Sequence, residues 1–122
     1  MPKPHVTVPD GPPPTELEVT DLVEGTGAEA APGQTVSVQY VGVSYSNGRQ
    51  FDASWDRGQA FSFPLGKGRV IKGWDQGVAG MKVGGRRLLV IPPHLGYGDR
   101  GAGGVIEPGE TLIFVVDLVG VH

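Results

Sequence analysis

The stretch that decides the fold runs from Gly68 to Met81, GRVIKGWDQGVAGM, in a chain of 122 residues. Its large apolar residues Ile71, Trp74, Val78 and Met81 are spaced by three, four and three, the stripe of a short amphipathic helix. Glycines inside the stretch weaken an isolated helix by roughly 1 kcal/mol each, so the helix persists only by packing on another element. The stripe therefore predicts one short helix held against a sheet. The residues leave open whether Trp74 and its neighbours form only core or also line an open pocket.

Alternating patterns on both sides of this helix predict the strands of that sheet. The run TVSVQYVGVSY places Val36, Val38 and Tyr40 on one face, and the Asn47-Gly48 pair after it favours a tight hairpin turn. The predicted strands are Leu17 to Val23, Thr35 to Tyr45, a strand resuming at Gln50 to Asp52, a short strand with Phe61 and Phe63 on one face, Arg86 to Ile91, and Thr111 to Val119.

Composition excludes several classes of function. The chain has no cysteine, so it holds no disulfide, thiolate nucleophile or cysteine-bound metal. Its formal net charge is -3 and it has no lysine or arginine run, which argues against a nucleic-acid partner. No apolar run is long enough for a signal peptide or a membrane span. We expect a single-domain, monomeric, cytoplasmic protein that contacts neither membrane nor nucleic acid.

The N-terminal segment 1–14 differs from the rest of the chain. It holds six prolines and almost no apolar periodicity, so we expect a flexible arm, extended or disordered, followed by one domain over residues 15–122. A proline-rich ligand for an aromatic groove is one interpretation of the arm; a solvated tail is the favoured one.

The sequence contains no motif for proton transfer, covalent catalysis or metal binding. Residues 96–101, GYGDRG, match the dinucleotide fingerprint literally, but Pro92-Pro93 separates them from the preceding strand and no helix can follow, so a glycine-rich flap is predicted instead. The three histidines lack the spacing of a metal site or a relay, and we expect no cofactor. Asp52, Asp56 and Asp75 leave a carboxylate pair for glycoside hydrolysis open as a minor alternative.

Four motifs, in this order and spacing, carry a resemblance to a known family. They are FDAS at 51–54, FPLGKGRVIKGWDQGVAGM at 63–81, PPHLGYG at 92–98 and TLIFVVDL at 111–118. Together they make the chain resemble the FKBP-type peptidyl-prolyl cis-trans isomerases over roughly residues 17–121. Two departures concern the flap: it lacks a His-Pro pair found in some members, and Glu107 stands where proline is common. The chain also has no room for the chaperone domain that some bacterial members insert near the flap.

This resemblance implies an α+β fold, a curled five- or six-stranded antiparallel sheet wrapped around one short helix, with the site in the cleft between them. The implied substrate- and macrolide-binding residues are Tyr40, Phe51, Asp52, Phe61, Val70, Ile71, Trp74, Tyr97, Val105, Ile106 and Phe114. The implied catalytic residues are Asp52, Ile71, Trp74, Tyr97 and Phe114. In the family the Trp74 equivalent is the floor under the proline ring, and the Ile71 N–H and Tyr97 hydroxyl donate to ligand carbonyls. We further hypothesise that Gly68 and Gly73 let the backbone at 70–71 approach the substrate closely.

The implied function is acceleration of X-Pro bond rotation during protein folding, with proline-containing peptides and unfolded proteins as substrates and macrolides such as tacrolimus and rapamycin as ligands. Catalysis of this kind needs no acid, base or nucleophile, which agrees with the missing motifs. The alternative is a macrolide- or peptide-binding module whose isomerase activity is incidental. A third hypothesis is a folding helper that holds unfolded chains on the rim of the cleft.

Overall fold

The computed structural model describes residues 2–122 as an α+β fold with one open, fully antiparallel six-stranded sheet. The strand order is β1-β5-β6-β2-β3, and β4 pairs with β2. Within residues 2–122 no helix is both long and apolar enough to cross a membrane. The elements are β1 Glu18–Val23, β2 Thr35–Ser44, β3 Gln50–Ala53, α1 Ser54–Arg57, β4 Phe61–Pro64, α2 Lys72–Gly77, β5 Arg86–Ile91, a 3-10 helix Pro93–Leu95, and β6 Leu112–Val121.

The edge of the sheet beside β2 is built from two short strands. The first half of β2, from Thr35 to Val38, pairs with β4, and its second half, from Val41 to Val43, pairs with β3. The single turn of α1 lies between these two strands along the chain. The break in the edge therefore places α1 beside the middle of β2, close to Tyr40.

The predicted hairpin between β2 and β3 is present, but its connection is longer than the predicted tight turn. Five residues, from Tyr45 to Arg49, join the strands. The Asn47 side chain accepts a hydrogen bond of 2.9 Å from the Arg49 N–H, and Gly48 has φ of +70°. The Asn-Gly pair thus shapes the end of a five-residue loop, with asparagine bonding the backbone two residues on.

The helix α2 is shorter than the apolar stripe predicted. Val78 and Met81 are buried as expected, yet both lie after the last helical residue. One cause lies in β5, where the Arg87 guanidinium donates to the carbonyl oxygens of Gly77 and Ala79 at 2.9 and 3.0 Å. These bonds satisfy carbonyl groups at and just beyond the end of the helix, so the chain can leave the helical conformation there.

Two glycines of α2 let the helix approach the sheet closely. A Cβ atom at Gly73 would stand 2.5 Å from Cγ2 of Ile91, and one at Gly77 would stand 2.8 Å from Cδ2 of Leu89. The buried contact with β5 is therefore a sufficient reason for glycine at position 73, and the hypothesis that Gly73 serves close approach to substrate stays a prediction. Gly68 lies in the loop before α2 with φ of +69°, where a Cβ atom would meet open space.

The sheet carries an apolar cluster on each face. The larger one fills the concave face under α2 and includes Val36, Val38 and Tyr40, as the alternation in β2 predicted, together with the buried Phe63. The smaller one lies on the convex face. Its buried members are Val41, Val43, Ala53, Val90 and Ile113.

The N-terminal arm crosses the smaller cluster, which the solvated-tail interpretation did not anticipate. Val6 and Val8 are partly buried and pack on that cluster. Lys3 forms an ion pair of 2.7 Å with Asp56, and the Tyr45 hydroxyl donates to the Gly11 carbonyl oxygen at 3.0 Å. The two valines are two residues apart, so an extended chain points both to one side, and that side covers the sheet.

Candidate active site

A cleft of about 340 Å³ opens between α2, the sheet and the flap that follows the 3-10 helix. Two of its lining residues, Arg69 and Ala102, were not predicted from the sequence. The other eleven are the residues named above as binding residues: Tyr40, Phe51, Asp52, Phe61, Val70, Ile71, Trp74, Tyr97, Val105, Ile106 and Phe114.

Trp74 forms the centre of the aromatic floor of the cleft. Its ring centroid lies 4.8 Å from that of Tyr40 and 5.2 Å from that of Phe114, with the ring planes nearly perpendicular. Phe61 and Phe63 stack on each other with their ring centroids 5.6 Å apart. Their centroids lie 6.0 and 5.5 Å from that of Trp74, so both rings pack against the indole. Edge-to-face contacts of this kind add to the stabilisation from burial and fix ring orientation, so the floor is preformed.

One polar corner of the cleft is a connected group of three side chains. The Tyr40 hydroxyl donates to Oδ2 of Asp52 at 2.5 Å, and Nη1 of Arg57 donates to Oδ1 at 2.6 Å. Nη2 of Arg57 also donates to the Tyr40 hydroxyl at 2.9 Å. Arg57 was not predicted from the sequence, because the single turn of α1 that returns it to Asp52 has no periodic pattern.

The electrostatics of this corner keep its groups in fixed protonation states near neutral pH. Partial burial alone would raise the pKa of the Asp52 carboxyl, but hydrogen bonds from Tyr40 and Arg57 outweigh it and bring the pKa below its ordinary value. Burial, reinforced by the bond to Asp52, raises the pKa of Tyr40 to about 12. The hydrogen bonds to Asp52 and Tyr40 raise the pKa of Arg57. The corner therefore holds a carboxylate, a neutral phenol and a guanidinium.

A buried serine anchors the polar corner to the sheet. The Ser54 hydroxyl accepts a hydrogen bond of 2.7 Å from the Tyr40 backbone N–H and donates one of 2.6 Å to Oε1 of Gln39. Ser54 is the first residue of α1 and is fully buried. Its bonds thus fix the start of α1 on β2, and with it the neighbouring Asp52 and Arg57.

Hydrogen-bond donors lie on the other walls of the cleft. The Ile71 N–H, just before α2, has no backbone acceptor within residues 2–122. The loop that carries it is held by Asp75, which accepts hydrogen bonds from the N–H groups of Gly66 and Gly68 at 2.8 and 3.0 Å. Across the cleft, burial and then the nearby carboxylate charge raise the pKa of Tyr97, so its hydroxyl keeps its proton. Two neutral donors are therefore available to ligand carbonyls.

The flap has the loop structure predicted for its glycine-rich sequence. Residues 96–101 follow the 3-10 helix, and within the described chain no helix opens from them, so the dinucleotide interpretation was rightly rejected. An isolated bridge between Ala102 and Ile106 closes the flap above the cleft, while Val105 at its tip is 61% exposed. Across residues 2–122, no three His, Asp or Glu side chains are grouped so as to hold a metal ion.

Comparisons with known proteins agree with this geometry. The model of the FKBP-type peptidyl-prolyl cis-trans isomerase family matches residues 27–119. An FK506-binding protein from Streptomyces anulatus is 65% identical over 120 residues, which cover 98% of this chain and 97% of that protein. A probable FK506-binding protein from Corynebacterium glutamicum is 50% identical over 119 residues, 98% of each chain.

A solved structure extends the agreement to three dimensions. The crystal structure of AtFKBP13 is similar with a TM-score of 0.81 and 43% identity, over 90% of this chain and 96% of that chain. The strand and helix arrangement implied by the resemblance is thereby confirmed. The chain belongs to the FKBP-type peptidyl-prolyl cis-trans isomerases and is an enzyme of that class.

Proposed function

We propose that the cleft accelerates X-Pro rotation by favouring a twisted amide, without proton transfer or a covalent intermediate. Amide resonance gives this rotation a barrier of about 18–20 kcal/mol. A right-angle twist removes the resonance and leaves a less dipolar group than the planar amide. A dry, apolar site disfavours the dipolar planar form more than the twisted one, so the barrier falls. Each tenfold acceleration requires only about 1.4 kcal/mol of this difference.

The observation that carries the proposal is the preformed aromatic floor around Trp74. Trp74 is 5% exposed, and near-perpendicular contacts with Tyr40 and Phe114 hold it in place. We assign the proline ring to this floor, between Tyr40, Phe61 and Phe114 as walls. The Ile71 N–H and the Tyr97 hydroxyl would then orient the flanking carbonyl groups of the substrate.

Asp52 would act through its fixed charge. Its carboxylate lines the cleft and is held by Tyr40 and Arg57. When this carboxylate faces the carbonyl of the reacting amide, it repels the carbonyl oxygen. The repulsion is stronger for the planar form, whose oxygen carries more negative charge, than for the twisted form. This raises the energy of the planar ground state relative to the transition state and requires no proton from Asp52.

We further propose that the same cleft binds the macrolides tacrolimus and rapamycin, and that unfolded proteins with X-Pro bonds are its substrates. The names of the Streptomyces anulatus and Corynebacterium glutamicum relatives support macrolide binding. The departures in the flap, including Glu107, bear on affinity more than on catalysis because they lie away from the floor. A monomeric state and a cytoplasmic location stay predictions from the sequence.

The test is cis-trans exchange in a short X-Pro-Phe peptide, measured by NMR with and without tacrolimus. We expect faster exchange, abolished by one equivalent of the macrolide. Trp74→Phe, which keeps an aromatic floor, should retain more activity than Trp74→Ala, which opens a cavity. Tight macrolide binding without acceleration would favour the alternative, a binding module. Acceleration that persists with the macrolide bound would overturn the assignment of the site.

A further inference from the structure

The loop that forms one wall of the cleft and the first residue of α2 together carry three cations that no carboxylate of the described chain pairs with. Lys67, Arg69 and Lys72 are all exposed, and within residues 2–122 none of them forms an ion pair. Asp75 is the only acidic residue nearby along the chain, and its two oxygens accept the Gly66 and Gly68 N–H groups. This wall is therefore positively charged, in a protein whose formal net charge is -3.

Arg69 is the cation of this wall that lines the cleft itself. The other charged lining residue is Asp52, whose carboxylate forms an ion pair with Arg57 at 2.6 Å. Among the described residues that line the cleft, Arg69 is thus the charged one without an ion-pair partner, and its charge is positive. Arg69 directly precedes Val70 and Ile71 in the chain, so it stands beside the N–H group assigned to substrate binding.

We infer that Arg69 determines specificity, favouring substrates with an acidic residue immediately before or after the proline. This rests on the proposed function, since it places the proline ring on Trp74. Consecutive Cα atoms are about 3.8 Å apart, so either neighbour of that proline lies within reach of a long arginine side chain at the rim. Arg69 is exposed, so the effect is modest: exposed ion pairs of this kind correspond to about two- to fivefold in kcat/KM.

The experiment compares blocked tetrapeptides that differ only in Glu against Gln, placed before or after the proline, by exchange NMR. At about 20 mM salt we expect one Glu peptide to exceed its Gln counterpart by about two- to fivefold in kcat/KM. The ratio should approach one at about 1 M salt, where the Debye length is about 3 Å. Arg69→Glu should bring the ratio below one, whereas Arg69→Lys should preserve the preference.

Lys82→Glu is the matched control, because it makes the same change in net charge at a position away from the cleft. It should keep the wild-type ratio. Glu-to-Gln ratios of one at low salt in both positions, with the Gln peptides still accelerated, would overturn the inference and leave the proposed function intact. Equal shifts of the ratio in Arg69→Glu and Lys82→Glu would also overturn it, since total charge would then explain the preference. Failure to accelerate any peptide would overturn both proposals.

Discussion

Gly73→Ala tests whether close contact between α2 and β5 is the reason for glycine in this helix. The new Cβ atom would stand 2.5, 2.7 and 2.8 Å from three side-chain carbons of Ile91, where about 3.5–4.0 Å is optimal. Ile91 is fully buried and cannot move into solvent. Overpacking of this kind costs about 1–3 kcal/mol, against a gain of up to about 1 kcal/mol in helix propensity. We expect a net loss of about 1–2 kcal/mol.

The assay is urea unfolding followed by tryptophan fluorescence, where this loss lowers the midpoint by about 0.5–1 M. Gln76→Ala, on an exposed position of the same helix, is the control and should change stability by less than about 0.5 kcal/mol. Ile91→Val removes one of the three contacting carbons, so Gly73→Ala should cost less in that background. A Gly73→Ala protein as stable as the wild type would refute the packing argument.

Three further substitutions separate the cleft from the rest of the fold. Gly42→Ala would place a Cβ atom 2.6 Å from the Phe114 ring and 2.7 Å from the Phe51 ring. We expect kcat/KM in exchange NMR to fall by about tenfold. Unchanged activity would contradict the assignment of these rings to the substrate-binding cleft. Asp52→Asn keeps the side-chain shape and removes the charge, so kcat/KM should fall several-fold while the urea midpoint stays nearly constant; full activity would remove the charge from the mechanism. Val8→Asp should lower the free energy of unfolding in urea by about 1–2 kcal/mol, because it puts a charge against the smaller, convex cluster. The tacrolimus affinity of the folded protein should stay unchanged. Wild-type stability would show that the arm contributes nothing to the stability of the fold.

The strands were predictable because their signals are local and periodic, whereas the cleft was predicted from the family resemblance. Alternation in β2 identified the buried face with Val36 and Val38, and the spacing around Trp74 identified the helix that covers it. All eleven residues carried over from the family motifs line one cleft. Periodicity alone could not predict that Tyr97 of the flap and Phe51 of β3 line the same cleft. That prediction came from the order and spacing of the family motifs.

The features that were missed depend on contacts that no periodic pattern in the sequence reports. Arg57 reaches Asp52 only through one turn of α1, and the end of α2 is satisfied by Arg87 from another element. The arm carried a weak signal in the spacing of Val6 and Val8, which its prolines obscured. The space available at Gly73 depends on Ile91, eighteen residues later in the sequence, and no local pattern reports such a distance.

The most direct test of the twisted-amide mechanism is the pH dependence of kcat/KM for a neutral X-Pro peptide, measured together with the solvent isotope effect. The pKa of Asp52 lies below its ordinary value, that of Tyr40 is about 12, and that of Tyr97 is raised, so none of these groups titrates between about pH 5 and 9. The twisted-amide mechanism predicts a flat profile over this range and an isotope effect near one. A bell-shaped profile with an isotope effect well above one would show proton transfer in the rate-limiting step and contradict the twisted-amide mechanism.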